Sequence, residues 1–304
     1  MKTKIPSLSY NAMFKAVIAN NKYLISALVK VILDYYKLDI DVMNKELIIK
    51  NNELGINNFQ DKNLICDYII KVDDNTEVNI EINRAKYIGL SERNLTYSFK
   101  IYLEHFNTGD SYDEFNKYTF LQVNFNNFPN RNGKIINRYY MMDIDDPSNK
   151  LSNKFSILNI DIAKCKEMVY NKSDLDEISD LYTFGAIMSC IYLEDIKSIL
   201  ERGLMFMKDN EKEKLIDKIE DASSNKETLK AVRLENSLED RFRYIEAMTR
   251  NVTKEETTKE VTKEVTNNII KSMLKKNITY EDIAEITNTP IETIEKIAKE
   301  IHRN

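Results

Sequence analysis

Two acidic side chains pose the first chemical question. Asp67 and Glu81 both lie within "ICDYIIKVDDNTEVNIEIN", Ile65 to Asn83. Apolar and polar residues alternate there on either side of "DDNT", Asp73–Thr76, residue types that turn a chain through side-chain bonds to nearby backbone. The pattern is that of a β-hairpin. Strand side chains alternate faces, so Val78, Ile80 and Ile82 share one face while Glu77, Asn79, Glu81 and Asn83 share the other. On the first strand, Cys66, Tyr68 and Ile70 group together, opposite Ile65, Asp67 and Ile69. A three-residue turn then sets Asp67 directly across from Glu81, and facing pairs have Cβ atoms about 4.5–5.5 Å apart.

Carboxylates that close repel each other. A divalent cation between them would relieve the repulsion, and Mg²⁺ is commonly held by one or two carboxylates with water completing its shell. Such an ion activates water and stabilises a phosphate under in-line attack. The same alternation also fits a sheet with one solvated face, where both acids simply meet water. Spacing alone does not choose between the two.

Composition narrows the chemistry. The two histidines, His105 and His302, cannot build a His-rich metal site, and the three cysteines, Cys66, Cys165 and Cys190, lack CxxC spacing. Buried free thiols are expected, and any metal should be a hard cation on carboxylates. The net charge of −5 and a sequence pI near 5.4 leave nucleic-acid binding to a local basic patch. The N-terminal "MKTKIPSLSYN" has no apolar signal-peptide core, and the most apolar run, Leu181–Leu193, has 13 residues, too few to span a membrane. That run reads as a buried core helix. A cytoplasmic protein without a membrane part is expected.

The elements that hold the hairpin follow from periodicity. Residues 9–36 read as two helical stretches, with Ser9 as an N-cap, and Lys45–Leu54 as a strand. After the hairpin, one helix runs from a Ser91 cap to a Gly109 stop. Strands are expected at Lys117–Phe125, Arg138–Ile144 and Phe155–Ile162, and helices from about Glu167 to Arg250. The repeat "TKEETTKEVTKEVT", Thr253–Thr266, reads as an exposed linking helix: a solvated spacer, or a short self-associating coil that would make a homo-oligomer through the C-terminal helices. Two short amphipathic helices follow in Ile278–Ile301, around "TNTP", with Pro290 opening the second. Their outline is that of a helix-turn-helix. Six acids against three bases between Glu281 and Arg303 favour a protein contact there over a DNA reader.

Taken in order, these stretches resemble the PD-(D/E)XK nuclease family transposases, the Rpn-type recombination-promoting nucleases. "NAMFK" (Asn11–Lys15) resembles an opening Asp-x-x-Phe-Lys, and "DKNLICDYIIKVDDNTEVNIEIN" a run from Asp-Lys through a metal-binding Asp to Ile-Glu-x-Gln. "RNLTYSFKIYLEHFNTGDSY" (Arg93–Tyr112) matches Arg, Tyr, Gly and Tyr landmarks on the next helix, and "FSILNIDIAK" the closing core strand. The resemblance implies Asp67 and Glu81 as metal ligands. It puts Asn83 where the general fold has Lys and this family commonly Gln, positioning water through its amide. An amide lacks the charge of Lys, so Lys71, Arg84 or Lys86 would have to supply it, with Arg93 touching phosphate or the acids. Asn11 stands where the family usually presents Asp, which leaves a more neutral site.

The expected fold class is α/β. A PD-(D/E)XK core over residues 1–166, a mixed sheet flanked by helices, would precede a helical region (167–250), a charged linker helix (251–266) and a small helix-turn-helix-like tail (267–304). The expected function is Mg²⁺-dependent DNA endonuclease activity, with Mn²⁺ as substitute, linked to recombination or mobile elements. The competing reading is a degenerate nuclease fold that binds nucleic acid or protein. A third is a helical interaction protein acting through residues 167–304, indifferent to the hairpin acids. A ribonuclease-H-type site would need a third acid such as Glu104 and fits the close hairpin pair poorly.

Overall fold

The computed structural model of the chain describes residues 2–50, 53–54, 64–65, 67–106, 109, 111, 113, 117–171, 179–204, 206–240, 266–274 and 278–301. These fall in two compact units, residues 1–240 and 241–304.

The first unit opens with α1 (Asn11–Phe14), continued by a π-helical turn, Lys15–Ala19, and then α2 (Lys22–Tyr35). Asn21 caps α2: its Oδ1 accepts from the backbone N of Tyr23 (3.1 Å) and Leu24 (3.2 Å), two of the donors that a helix start leaves unpaired. Ser9 caps nothing. Its hydroxyl bonds Ser7 Oγ (2.5 Å) and accepts from Arg84 Nη1 (2.8 Å), so a tertiary partner has taken it.

The expected strand at Lys45–Leu54 is two short pieces, β1 (Ile48–Ile49) and β2 (Glu53–Leu54), the latter paired with β3 (Leu64–Ile65) in a separate ribbon. The hairpin forms as its alternation requires, with β4 (Tyr68–Lys71), a turn, and β5 (Thr76–Asn83). Next comes α3 (Leu90–Glu104). Gly89 starts this helix at φ +86°, a left-handed conformation that Gly adopts without a Cβ penalty, so Ser91 lies inside the first turn rather than capping it. The helix ends at Glu104, before the expected stop at Gly109. Strands β6 (Thr119–Asn126), β7 (Ile136–Met142) and β8 (Lys150–Asp161) complete the sheet.

The strand order is β1-β4-β5-β6-β8-β7. The three inner strands β5, β6 and β8 run parallel, while β1, β4 and β7 pair antiparallel at the edges. This mixed sheet with helices on both faces is the expected α/β architecture. One face carries Tyr68, Ile70, Val78, Ile80, Leu121, Val123, Leu158 and Ile160 into the main core. On the other, Ile69, Phe120 and Phe155 meet Tyr97 and Ile101 of α3.

Helices α4 (Ile162–Asn171), α5 (Asp180–Ser189), α6 (Leu193–Arg202), α7 (Asp209–Ser224) and α8 (residues 226–240) follow. Residues from all five enter the main core, which runs from Ile5 to Val232. The apolar run at Leu181–Leu193 is mostly buried, with Ile191 exposed; its helix stops at Ser189 and Leu193 begins the next. Cys165 and Cys190 are buried free thiols, pushed up in pKa by burial; Cys66 lies outside the described residues. Among the described residues, no single helix is long and apolar enough to cross a membrane.

In the second unit, α9 (residues 266–274), α10 (Tyr280–Thr287) and α11 (Ile291–Ile301) enclose Ile270, Ile283, Ile294 and Ile297. Thr279 caps α10 by accepting from Asp282 N at 3.2 Å, and Asn288 ends it in the left-handed region. The expected linking helix at Thr253–Thr266 lies outside the described residues except for its last residue.

Candidate active site

Hairpin register decides where the acids meet. Tyr68 pairs with Ile80 and Lys71 with Glu77, so Asp67, one residue before β4, falls opposite Glu81. Backbone groups fix the two carboxylates. The Asp67 N–H donates to Glu81 Oε1 at 3.1 Å, and the Ile82 N–H donates to Asp67 Oδ2 at 2.7 Å. The face they share is not solvated. Glu77, Asn79, Glu81 and Asn83 are all buried, Glu81 at 1% exposure, and Asp67 is half-buried, so Glu81 does not simply face solvent.

Burial has an electrostatic consequence. It raises the proton affinity of the Glu81 carboxyl, and repulsion from Asp67 raises it further, with Arg93 opposing. Asp67 is raised too, by burial first, with Glu235 adding and the Ile82 N–H and Arg93 opposing.

Arg93, in the first turns of α3, reaches back across the site. Its Nη2 donates to Glu81 Oε2 (3.4 Å), Asn83 Oδ1 (3.0 Å) and Asn94 Oδ1 (3.1 Å). The guanidinium also lies over the rings of Tyr97 (5.3 Å) and Tyr87 (5.7 Å). The other face of the Asn83 amide donates from Nδ2 to Asn126 Oδ1 at 3.0 Å, so both ends of this side chain are engaged. Asn11, at the start of α1, donates from Nδ2 to Asp67 Oδ1 (3.0 Å) and accepts from the Tyr68 hydroxyl (2.5 Å). Residues from four places in the chain therefore converge: Asn11, Asp67, the Glu81–Asn83 segment and Arg93.

The remaining basic candidates do not join them. Lys71 lies at the far end of β4 with its Nζ on Asp74 at 2.7 Å. Arg84 is turned to the other side, stacked 3.5 Å over the Tyr10 ring and paired with Glu239 at 3.1 Å. Lys86 is exposed beyond the strand end. Among the described residues, the cation on the acids is Arg93.

Two groups of residues escaped the sequence reading. Glu235 on α8 accepts from the backbone N–H of Asn11 (2.9 Å) and Ala12 (2.8 Å), while Asn236 accepts from the Tyr10 hydroxyl at 2.7 Å. The second is the layer of buried amides, Gln122, Asn124 and Asn94, that extends from Asn79 on the face of Glu81. A signal for them was present, since "TFLQVNFN" alternates Gln122, Asn124 and Asn126 with apolar residues in a strand buried along its whole length.

The donor set fits a hard divalent cation. It offers two repelling carboxylates and amide oxygens, with no thiolate or imidazole. Among the described residues, no cluster of three or more His, Cys, Asp or Glu side chains could hold a metal. The carboxylate pair thus suits an ion that keeps most of its water, as Mg²⁺ does. Asp67 and Glu81 would hold it.

Comparison with known proteins gives one result. The family model described as PD-(D/E)XK nuclease family transposase matches residues 10–248. No curated protein and no solved structure gives a match.

Proposed function

The chain belongs to the PD-(D/E)XK nuclease family transposases, and on that premise we propose that it is a DNA endonuclease that requires Mg²⁺, accepts Mn²⁺ and acts in recombination or on mobile elements. The supporting observation is the pair itself, with the Asp67 N–H on Glu81 Oε1 at 3.1 Å and one guanidinium reaching Glu81 and Asn83 together. When bound, the cation supplies charge stabilisation to the phosphate and lowers the cost of deprotonating the attacking water. Asp67 and Glu81 hold the ion, and Asn83 orients the guanidinium through its Oδ1. Arg93, about a third exposed, is free on its outer side to meet a phosphate oxygen, supplying the charge that Asn83 cannot.

A second reading has its own support. Asn11 already donates to Asp67, and Arg93 is already paired with Glu81. These contacts compensate the site without a metal, as a binding protein on a nuclease fold would need.

Nicking of supercoiled plasmid separates the readings. The endonuclease predicts cleavage with Mg²⁺ or Mn²⁺, none in EDTA, and none with Asp67→Ala or Glu81→Ala. Arg93→Ala should slow cleavage by about 100-fold, the cost of removing one charged donor from a transition state. Cleavage that persists in both acid variants sinks the assignment, and DNA retention without cleavage favours the binding protein.

A further inference from the structure

The amides around Glu81 close a circuit. From Glu81 Oε2 the path runs to Arg93 Nη2 (3.4 Å), then to Asn94 Oδ1 (3.1 Å). Asn94 Nδ2 continues to Asn124 Oδ1 (3.3 Å), which also accepts from Gln122 Nε2 (2.8 Å). Gln122 Oε1 accepts from Asn79 Nδ2 (2.8 Å), and the same Nδ2 returns to Glu81 Oε1 at 3.3 Å. Six side chains from β5, β6 and α3 thus link one oxygen of a carboxylate to the other.

The circuit fixes the sense of every amide in it. Asn94 turns its oxygen to Arg93 because its nitrogen is committed to Asn124, and Asn79 turns its nitrogen to Glu81 because Gln122 also presents an oxygen. Among the described residues, Asn79 Oδ1 is buried without a partner. A flip would place that oxygen against two other oxygens, which is worse.

We propose that Asn79, Gln122, Asn124 and Asn94 are positioning residues that hold the Glu81 carboxylate in the orientation that receives the divalent cation. This rests on the metal-site reading above. None of the three outer members, Gln122, Asn124 and Asn94, bonds Glu81 itself; they act through Asn79 and Arg93. Partners behind a metal ligand orient it and tune its affinity, and their loss typically costs 10–100-fold in binding.

Calorimetric titration of the full chain with MnCl₂ tests this without an activity assay. Gln122→Met preserves length but cannot donate and accepts only weakly, and should weaken Mn²⁺ binding by about 10–100-fold. Ser98→Ala is the control. It removes the second bond to Gln122 Oε1 (3.1 Å) from an equally buried site but leaves the circuit closed, so affinity should stay within about twofold of wild type. Melting in EDTA reports what each change costs the fold. Should Gln122→Met fail to fold, Asn94→Leu opens the circuit from α3 and must show the same weakening. Wild-type affinity in a folded open-circuit variant overturns the positioning role while leaving the metal site intact. Absence of Mn²⁺ binding in the wild type, or binding that survives Asp67→Asn with Glu81→Gln, overturns the site reading and this inference with it.

Discussion

At the scale of the residue, the acid pair makes proton and metal compete for one place. Asp67 is raised to about 6 and Glu81 to about 8, in both cases chiefly by burial, so the folded protein holds protons that the unfolded chain releases. By linkage, that contribution to stability is fully present below the ordinary carboxylate range and is lost as the pH rises through the folded values. In EDTA, the melting temperature should therefore fall between about pH 5 and about pH 8. Glu81→Gln should flatten that fall and leave the metal-free protein more stable than wild type at the upper end, because it removes a buried charge. With saturating Mg²⁺ the fall should disappear, since the ion binds only the deprotonated pair and the folded protein then holds no more protons than the unfolded chain. A wild-type melting curve in EDTA with no pH dependence over this range would mean that the pair is not electrostatically strained.

At the scale of the element, α8 is the piece that ties the start of the chain to the site. Glu235 satisfies two orphan N–H groups of α1, whose first residue, Asn11, holds Asp67. Glu235→Ala leaves both donors without that partner and should destabilise the first unit by about 1–2 kcal/mol, measurable by urea denaturation. Gln at the same position, able to accept one of the two bonds, should cost less. Equal losses for the two would show that the charge, not the capping geometry, carries the effect. This contact was beyond reach of the sequence, because it joins residues 224 positions apart and α8 shows no strand or turn signal. The hairpin was legible for the opposite reason: alternation and a short turn fix its register locally, and that register alone brings Asp67 to Glu81. The amide circuit lay between these cases. Its residues alternate visibly along β6, but their meaning depends on the order β5-β6-β8, which no local pattern specifies. Helix caps failed where tertiary contacts took the side chain, as Arg84 takes Ser9.

At the scale of the whole molecule, each of the two units has a core of its own. The first unit's core runs from Ile5 to Val232, and the family match, residues 10–248, covers nearly all of it. Helices α4 to α8 are therefore part of what holds the sheet, and the carboxylate pair depends on them through the packing of Tyr68, Ile70, Val78 and Ile80 on the face opposite Glu81. Among the described residues, the second unit's core centres on Ile270, Ile283, Ile294 and Ile297, the first three fully buried. Burying a charge in it, as Ile283→Asp does, costs more than about 3 kcal/mol and should unfold α9–α11. Because each unit has its own core, the variant should lose helical circular dichroism from the tail alone and keep the first unit's urea midpoint. Its Mn²⁺-induced rise in melting temperature should match that of wild type. One transition, lowered for all of the protein's secondary structure together, would show instead that the two cores fold as a single cooperative unit.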